Sequence, residues 1–169
     1  MSRGLFITVE GIDGSGKTTQ MAKIKSYLES LGCRVLLLRE PGGTRISEAI
    51  RGILLNSEYT EMTDKTEVLL YSASRAQLVD EVIKPALEKN ITVVCDRFAD
   101  SFYAYQGFGR GNSFEVLESI TKYAVGGTMP DVTLFFDIPP EIALKRRFAA
   151  TESDRIENEK FDFHRKVYE

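Results

Sequence analysis

Gly11-Ile12-Asp13-Gly14-Ser15-Gly16-Lys17-Thr18 decides the fold. The stretch fits G-x-x-x-x-G-K-[ST] in full. It follows an apolar run, Leu5–Val9, and opens a helix-forming stretch at Lys17, the setting in which this pattern cradles phosphate. Glycines let backbone wrap closely around an anion because no Cβ obstructs φ > 0. Successive N–H groups and the positive helix N-terminus then face the charge. The Lys17 ammonium is expected on the β and γ phosphates of a purine nucleoside triphosphate, and the Thr18 hydroxyl on Mg2+. Average residue frequencies produce the pattern by accident in about one of 200 chains of this length. Such a loop leaves open what happens to the γ-phosphate.

Outward from the loop, apolar runs alternate with helical patterns. Leu5–Val9, Val35–Leu38, Ile91–Cys95 and Val132–Phe136 are short, rich in β-branched or aromatic residues and continuously apolar, as strands buried on both faces are. Met21, Ile24, Leu28 and Leu31 predict a helix over Lys17–Leu31, stopped by Gly32. Thr44 is placed to cap a helix bearing Ile46, Ile50, Ile53 and Leu54. A longer helix is expected from about Asp64, with a break or restart at Pro85. Ser113 is placed to cap another, and Pro140 suits the first turn of one running to about Ala150. This alternation predicts an α/β fold, a parallel sheet sandwiched by helices in a single domain of residues 1–169.

The 169 residues carry a net charge of −3, with 43% apolar and 28% charged residues, an ordinary globular balance. Nothing in it suggests a nucleic-acid surface, so anion handling falls to local clusters of Arg and Lys. No apolar run reaches membrane-spanning length, and the N-terminus lacks signal-peptide architecture. Cys33 and Cys95 read as buried reduced thiols. A cytoplasmic protein with no membrane partner is expected.

Candidate site residues gather at strand ends, where open α/β sheets bind ligands. Asp96 closes the run Ile91–Cys95 and is placed to hold the water shell of Mg2+. Asp137 closes Val132–Phe136 and competes for that role, Asp96 being preferred because Arg97 follows it. Arg39, Arg75, Arg97 and Arg110 offer planar forks for phosphate oxygens. Tyr71 lies four residues before Arg75, so a helix puts both on one face, with the ring available to stack on a base. Phe102, Tyr103, Tyr105 and Phe108, interrupted by Ser101 and Gln106, add faces for stacking and edges for hydrogen bonds. Lys145, Arg146, Arg147 and Arg155 surround a segment read as a basic lid, about residues 145–157, that closes over phosphates.

Five motifs in order resemble the thymidylate kinase family: Glu10-Gly-Ile-Asp-Gly-Ser-Gly-Lys-Thr-Thr19, Arg39-Glu-Pro-Gly-Gly-Thr44, Leu69-Leu-Tyr-Ser-Ala-Ser-Arg-Ala-Gln77, Asp96-Arg-Phe followed by Ala104-Tyr-Gln-Gly, and Asp154-Arg-Ile-Glu157. The resemblance implies a nucleoside monophosphate kinase fold, with ATP and thymidine monophosphate as substrates, Mg2+ as cofactor and a homodimer. Asp13 would contact the acceptor's 3′-hydroxyl. Tyr71 would stack on thymine where the family usually has Phe. Arg75 would reach the thymine edge and Arg97 the acceptor phosphate. Ser101, Tyr105 and Gln106 would line the base and sugar site. Bacterial-type members carry the catalytic arginine in the lid, which makes Arg155 and Arg147 the candidates beside Lys17 and Arg97. Family members also continue past the position of Tyr168 through a strand and helix that complete a five-stranded sheet and shape the adenine pocket; residues 1–169 are expected to lack both.

The same loop also serves other functions. A kinase for another nucleotide or a nucleoside would differ at the acceptor pocket. A GTP-binding switch would carry an Asn-Lys-x-Asp motif, which this sequence lacks.

Overall fold

The computed structural model describes residues 3–148 and 154–169, the side chains of Arg147 and Phe148 excepted. Among the described residues four strands form one parallel sheet: β1 (Phe6–Glu10), β2 (Val35–Arg39), β3 (Thr92–Asp96) and β4 (Val132–Phe135). Their spatial order is β2-β3-β1-β4. Val9 and Arg39 both pair with Asp96. The carboxyl ends of the three strands β2, β3 and β1 therefore lie side by side, and chain leaving them meets along one edge.

The helices are α1 (Lys17–Ser30), α2 (Arg45–Leu55), α3 (Asp64–Leu78), α4 (Lys84–Glu88), α5 (Ala99–Phe102), α6 (Phe114–Val125), α7 (Pro140–Phe148) and α8 (Phe161–Tyr168). Wider π-helical turns join α3 to α4 (Val79–Ile83) and extend α5 (Tyr103–Gly109). The expected restart at Pro85 is seen: Pro85 lacks an N–H and sits at the start of α4, where that donor is not needed. Thr44 caps α2 by accepting from the Ser47 N–H at 3.1 Å, and the Ser47 hydroxyl reaches the Ser74 carbonyl at 2.9 Å, fastening α2 to α3.

The strand period of two divides the core. Phe6, Val93 and Cys95 point to one side, where Leu78, Val79, Ile83 and Phe98 pack on them. Ile7, Val9 and Val94 point to the other, against Met21, Ile24 and Leu28 of α1. Burial on both faces explains the unbroken apolar runs of β1 and β3, and each fully buried large apolar side chain contributes roughly 1.5–3 kcal/mol.

Several expectations need correction. β4 is not buried on both faces: Val132 is 45% and Phe135 58% exposed. It lies at one edge of the four described strands, β2 lies at the other with its side chains only partly buried, and an apolar run does not reveal a strand's place in that order. Cys33 is exposed and only Cys95 is buried, because the turn after α1 lifts Cys33 out of both elements. Leu31 falls at the end of α1 and is exposed. Ser113 stands at the start of α6, but its hydroxyl makes no capping bond. α7 is described to Phe148, so the expected continuation to Ala150 lies outside the described residues.

Candidate active site

The loop after β1 wraps as its glycines require. Gly14 and Gly16 have φ of 83° and 93°, and a Cβ on Gly14 would lie 2.0 Å from the Ala143 carbonyl oxygen. Gly16 begins α1 without a side-chain cap, and no acidic residue occupies the first turn. The positive end of α1 is thus left for an anion. Lys17 is buried, its Nζ donating to the carbonyls of Gly11 (2.8 Å) and Ile12 (3.2 Å). The same Nζ lies 3.8 Å from Asp13 and 3.9 Å from Asp96. Burial, and secondly the nearby Arg97 charge, pull the Lys17 ammonium down to about 8, while the three surrounding carboxylates oppose the shift. The Ser15 hydroxyl is buried without a hydrogen-bond partner, and Thr18 is exposed one residue past Lys17.

Arg97, the first residue beyond β3, adopts the left-handed region at φ 66°, which costs a non-glycine residue on the order of 1 kcal/mol. Its surroundings hold it there. Glu10 at the end of β1 accepts from the Phe98 N–H (2.7 Å) and the Ser101 hydroxyl (2.5 Å). Burial raises the Glu10 carboxyl, against the hydrogen bond from Ser101 and the charge of Arg97. The Arg97 guanidinium is thereby aimed across the sheet edge, donating to Asp13 (2.8 Å) and Ser101 (3.0 Å) with Tyr105 beneath it at 5.2 Å.

Beside the loop opens a cavity of about 250 Å3, close to the scale of small-ligand sites. Asp13, Asp96, Arg97 and Ser101 form the wall nearest the phosphate loop, and Tyr71, Arg75, Phe102, Tyr105 and Gln106 line it further on. Arg75, 1% exposed, ion-pairs with Glu40 at 2.5 Å and lies 4.5 Å over the Phe102 ring. Burial pushes the Glu40 carboxyl up while Arg75 pulls it back. Arg75 Nε and Nη1 have no hydrogen-bond partner, nor has the Oε1 of buried Gln106. These unpartnered donors and this acceptor are buried within residues that line the cavity, and leaving them unsatisfied costs free energy.

Most of the expected site residues meet here. Tyr71 and Arg75 share the pocket wall, one helical turn apart. Arg39 reaches the rim, 47% exposed on its side chain, and is braced by Glu48 at 2.9 Å and the Pro41 carbonyl at 3.0 Å. Asp96 faces Lys17, whereas Asp137 accepts from the Tyr168 hydroxyl at 2.7 Å. The aromatic cluster divides: Phe102 and Tyr105 line the cavity, but Tyr103 and Phe108 pack on Phe114 at 6.2 and 5.0 Å. Arg110 is not a phosphate grip, being bound to Glu67 and Glu159. Arg155 donates to the Leu54 carbonyl at 2.8 Å and pairs with Glu67 at 2.5 Å, on the α2–α3 side of the pocket rather than at the phosphate loop. Lys145 and Arg146 are exposed on α7, while the side chain of Arg147 and residues 149–153 of the expected lid lie outside the described residues. Arg51 was missed. It lines the cavity and donates to the Pro41 carbonyl at 2.9 Å, and burial, then the Arg39 charge, lower its pKa. Its only sequence signal is a cation on α2 directly after the Arg39–Thr44 loop.

Among the described residues no cluster of three or more His, Cys, Asp or Glu could hold a metal. The hydroxyl of Thr18 and the buried Oδ1 of Asp96, which accepts no hydrogen bond, are hard oxygen donors beside the phosphate loop. That donor set fits Mg2+ carried on a triphosphate better than an ion caged by protein alone.

Residues 9–169 match the family model described as thymidylate kinase. Thymidylate kinase of Thermoanaerobacter sp. (strain X514) is 50% identical over 167 residues, covering 99% of this chain and 81% of that protein. Thymidylate kinase of Geobacillus thermodenitrificans (strain NG80-2) is 49% identical over 168 residues, covering 98% and 75%. The crystal structure of thymidylate kinase from Ehrlichia chaffeensis aligns with a TM-score of 0.79 at 32% identity, covering 98% of this chain and 83% of that one. The phosphate loop, the adjoining pocket and this likeness along nearly the whole chain agree: the chain belongs to the thymidylate kinase family.

Proposed function

We propose that this protein transfers the γ-phosphoryl group of ATP to thymidine 5′-monophosphate, giving ADP and thymidine 5′-diphosphate. The contact between Arg97 and Asp13 carries the reading, since it joins the phosphate loop to the neighbouring pocket. Two phosphorylated substrates bound on either side of it would meet end to end. An acceptor phosphate oxygen attacks directly, so catalysis is positioning and charge stabilisation. Gly11 to Thr18 hold the donor phosphates through backbone N–H groups, and Lys17 swings from its carbonyl partners to the β and γ oxygens. Arg97 holds the acceptor phosphate, with Arg39 at the rim. Thr18 and Asp96 would hold Mg2+, which would neutralise charge on the donor phosphates. Asp13 serves the acceptor sugar beside Ser101 and Tyr105. A lid arginine, Arg155 or Arg147, supplies further positive charge, and for Arg155 this requires leaving Glu67.

Base choice follows from the unsatisfied groups. A ring carbonyl meets the Arg75 donors and a ring N–H meets Gln106 Oε1, with Tyr71 against the ring face. Thymine has that pattern at its 4-carbonyl and N3–H. Cytosine reverses it with an amino group and a bare N3. The decisive experiment measures ADP release from ATP and Mg2+ with thymidylate, deoxycytidylate or thymidine as acceptor. Thymidylate is expected to give the largest stimulation. Preference for either of the others, or hydrolysis indifferent to acceptor, removes the reading. A homodimer in the cytoplasm is part of the same proposal. Exposed Leu69 on α3 and Val116 and Tyr123 on α6 support pairing through those helices, and a monomer in sedimentation removes it.

A further inference from the structure

Glu67 does not line the pocket, yet its chemistry constrains a residue that does. It is 2% exposed on α3, and donors surround its carboxylate. Gln106 Nε2 reaches Oε1 at 2.6 Å, Arg110 Nε reaches Oε1 at 3.2 Å, and Arg110 Nη2 reaches Oε2 at 3.3 Å. Arg155 Nη2 pairs with Oε2 at 2.5 Å. Burial alone would raise this carboxyl, but the Gln106 hydrogen bond and the two arginines outweigh it and hold it below the usual carboxylate range. The group is therefore ionised, and an ionised carboxylate accepts without donating. Any amide resting on it must turn its NH2 toward it.

A glutamine amide has two chemically opposite ends. With Nε2 turned to Glu67, the acceptor end of Gln106 is the one that points away from that carboxylate, and Oε1 is buried without a partner in a residue that is 1% exposed and lines the cavity. We infer that Glu67 is a positioning residue for base selection: by fixing the polarity of the Gln106 amide it makes the pocket an acceptor for a ring N–H and a poor host for a ring nitrogen lone pair. The inference rests on the proposed pyrimidine monophosphate kinase activity and names the residue that sets its selectivity. Arg110, held also by Glu159 at 2.5 Å, keeps the carboxylate from following the amide if it turns, whether or not Arg155 stays on Glu67.

The test is Glu67→Gln. A glutamine at this position can donate or accept, so the Gln106 amide becomes able to turn over and present NH2 to the base. The readout is the ratio of kcat/KM for thymidylate to that for deoxycytidylate, both measured on one preparation so that any loss of folded enzyme cancels. The ratio is expected to fall on the order of 10- to 100-fold, through a higher KM for thymidylate with kcat and the KM for ATP largely kept. An unchanged ratio, with both substrates losing equally, overturns the positioning role and leaves Glu67 a structural brace. Wild-type enzyme that does not prefer thymidylate overturns the functional reading instead, so the two failures are distinct. Should the variant not fold, the wild-type enzyme decides by nuclear magnetic resonance. The Gln106 carboxamide proton donated to Glu67 is expected to stay there, protected from exchange, when thymidylate is bound. Transfer of that NH2 to the ligand overturns the proposal.

Discussion

Arg97 Nη2 lies 2.8 Å from Asp13 Oδ1, although 84 residues separate the two in the chain. One belongs to the loop after β3, the other to the phosphate loop after β1. Adjacent parallel strands bring them together, because chain leaving neighbouring strands in one direction converges on one edge. The contact places a cation where two phosphate-bearing ligands would face each other, and Glu10 steadies it by holding Phe98 and Ser101 just after Arg97.

Replacing Arg97 with alanine is expected to separate the two substrates. Removing its fork should lower kcat/KM for thymidylate on the order of 10²–10³-fold, while ATP affinity changes little because Lys17 and the loop amides remain. Steady-state kinetics with each substrate varied in turn checks this. Equal losses for both would remove the acceptor role from Arg97.

The Glu40–Arg75 pair should behave as a buried ion pair. With side chains 3% and 1% exposed, Arg75→Met strands the Glu40 carboxylate and Glu40→Met strands the guanidinium, each at a cost of about 3–5 kcal/mol. The double replacement removes both charges and should cost much less than the sum. Urea denaturation of the four proteins gives the cycle, and additive losses would show that the pair is not coupled. Activity distinguishes the roles: every variant lacking Arg75 should lose thymidylate affinity even where stability returns.

Lys17 should make donor binding pH-dependent. Its ammonium in the free protein titrates at about 8, and bound phosphates would hold it charged to higher pH. ATP affinity is therefore expected to be flat below that value and to fall as pH rises through it, with proton uptake on binding just above it. Calorimetric titrations in two buffers of different ionisation heat measure that proton, and Lys17→Met should abolish it. Stability moves the other way. The folded pKa is depressed from the ordinary lysine value of 10.5, so between about 8 and 10.5 the unfolded chain binds more protons and stability from this group rises with pH. Below about 8 the cost of burying the charge is fully present.

Several parts of the site were readable because they depend on spacing along a few residues. Gly14, Gly16, Lys17 and Thr18 follow from a loop that must bend around phosphate, and Tyr71 and Arg75 from one helical turn. Asp96 and Arg97 follow from the end of an apolar strand. The carboxylate partners of Arg110 and Arg155 were not readable. Each pairs with Glu67, 43 and 88 residues away in the chain, and nothing local marks a partner at that distance. Arg51 and the sorting of Phe102 and Tyr105 from Tyr103 and Phe108 likewise depend on which elements pack together. The exposure of β4 depends on strand order, to which its apolar run is indifferent.

Read along the chain, the residues specify local matters: the phosphate loop, the helix starts at Lys17 and Arg45, the parallel α/β class and the candidate acceptor residues. These follow from backbone conformational limits and from apolar periodicity, which act over a few positions. Tertiary packing decided which cations face the ligand and which are neutralised, which aromatic rings stay in the cavity, and which way the Gln106 amide points. Those outcomes arise from short-range hydrogen bonds and charge pairs between residues far apart in the chain, and only the folded arrangement brings them within reach.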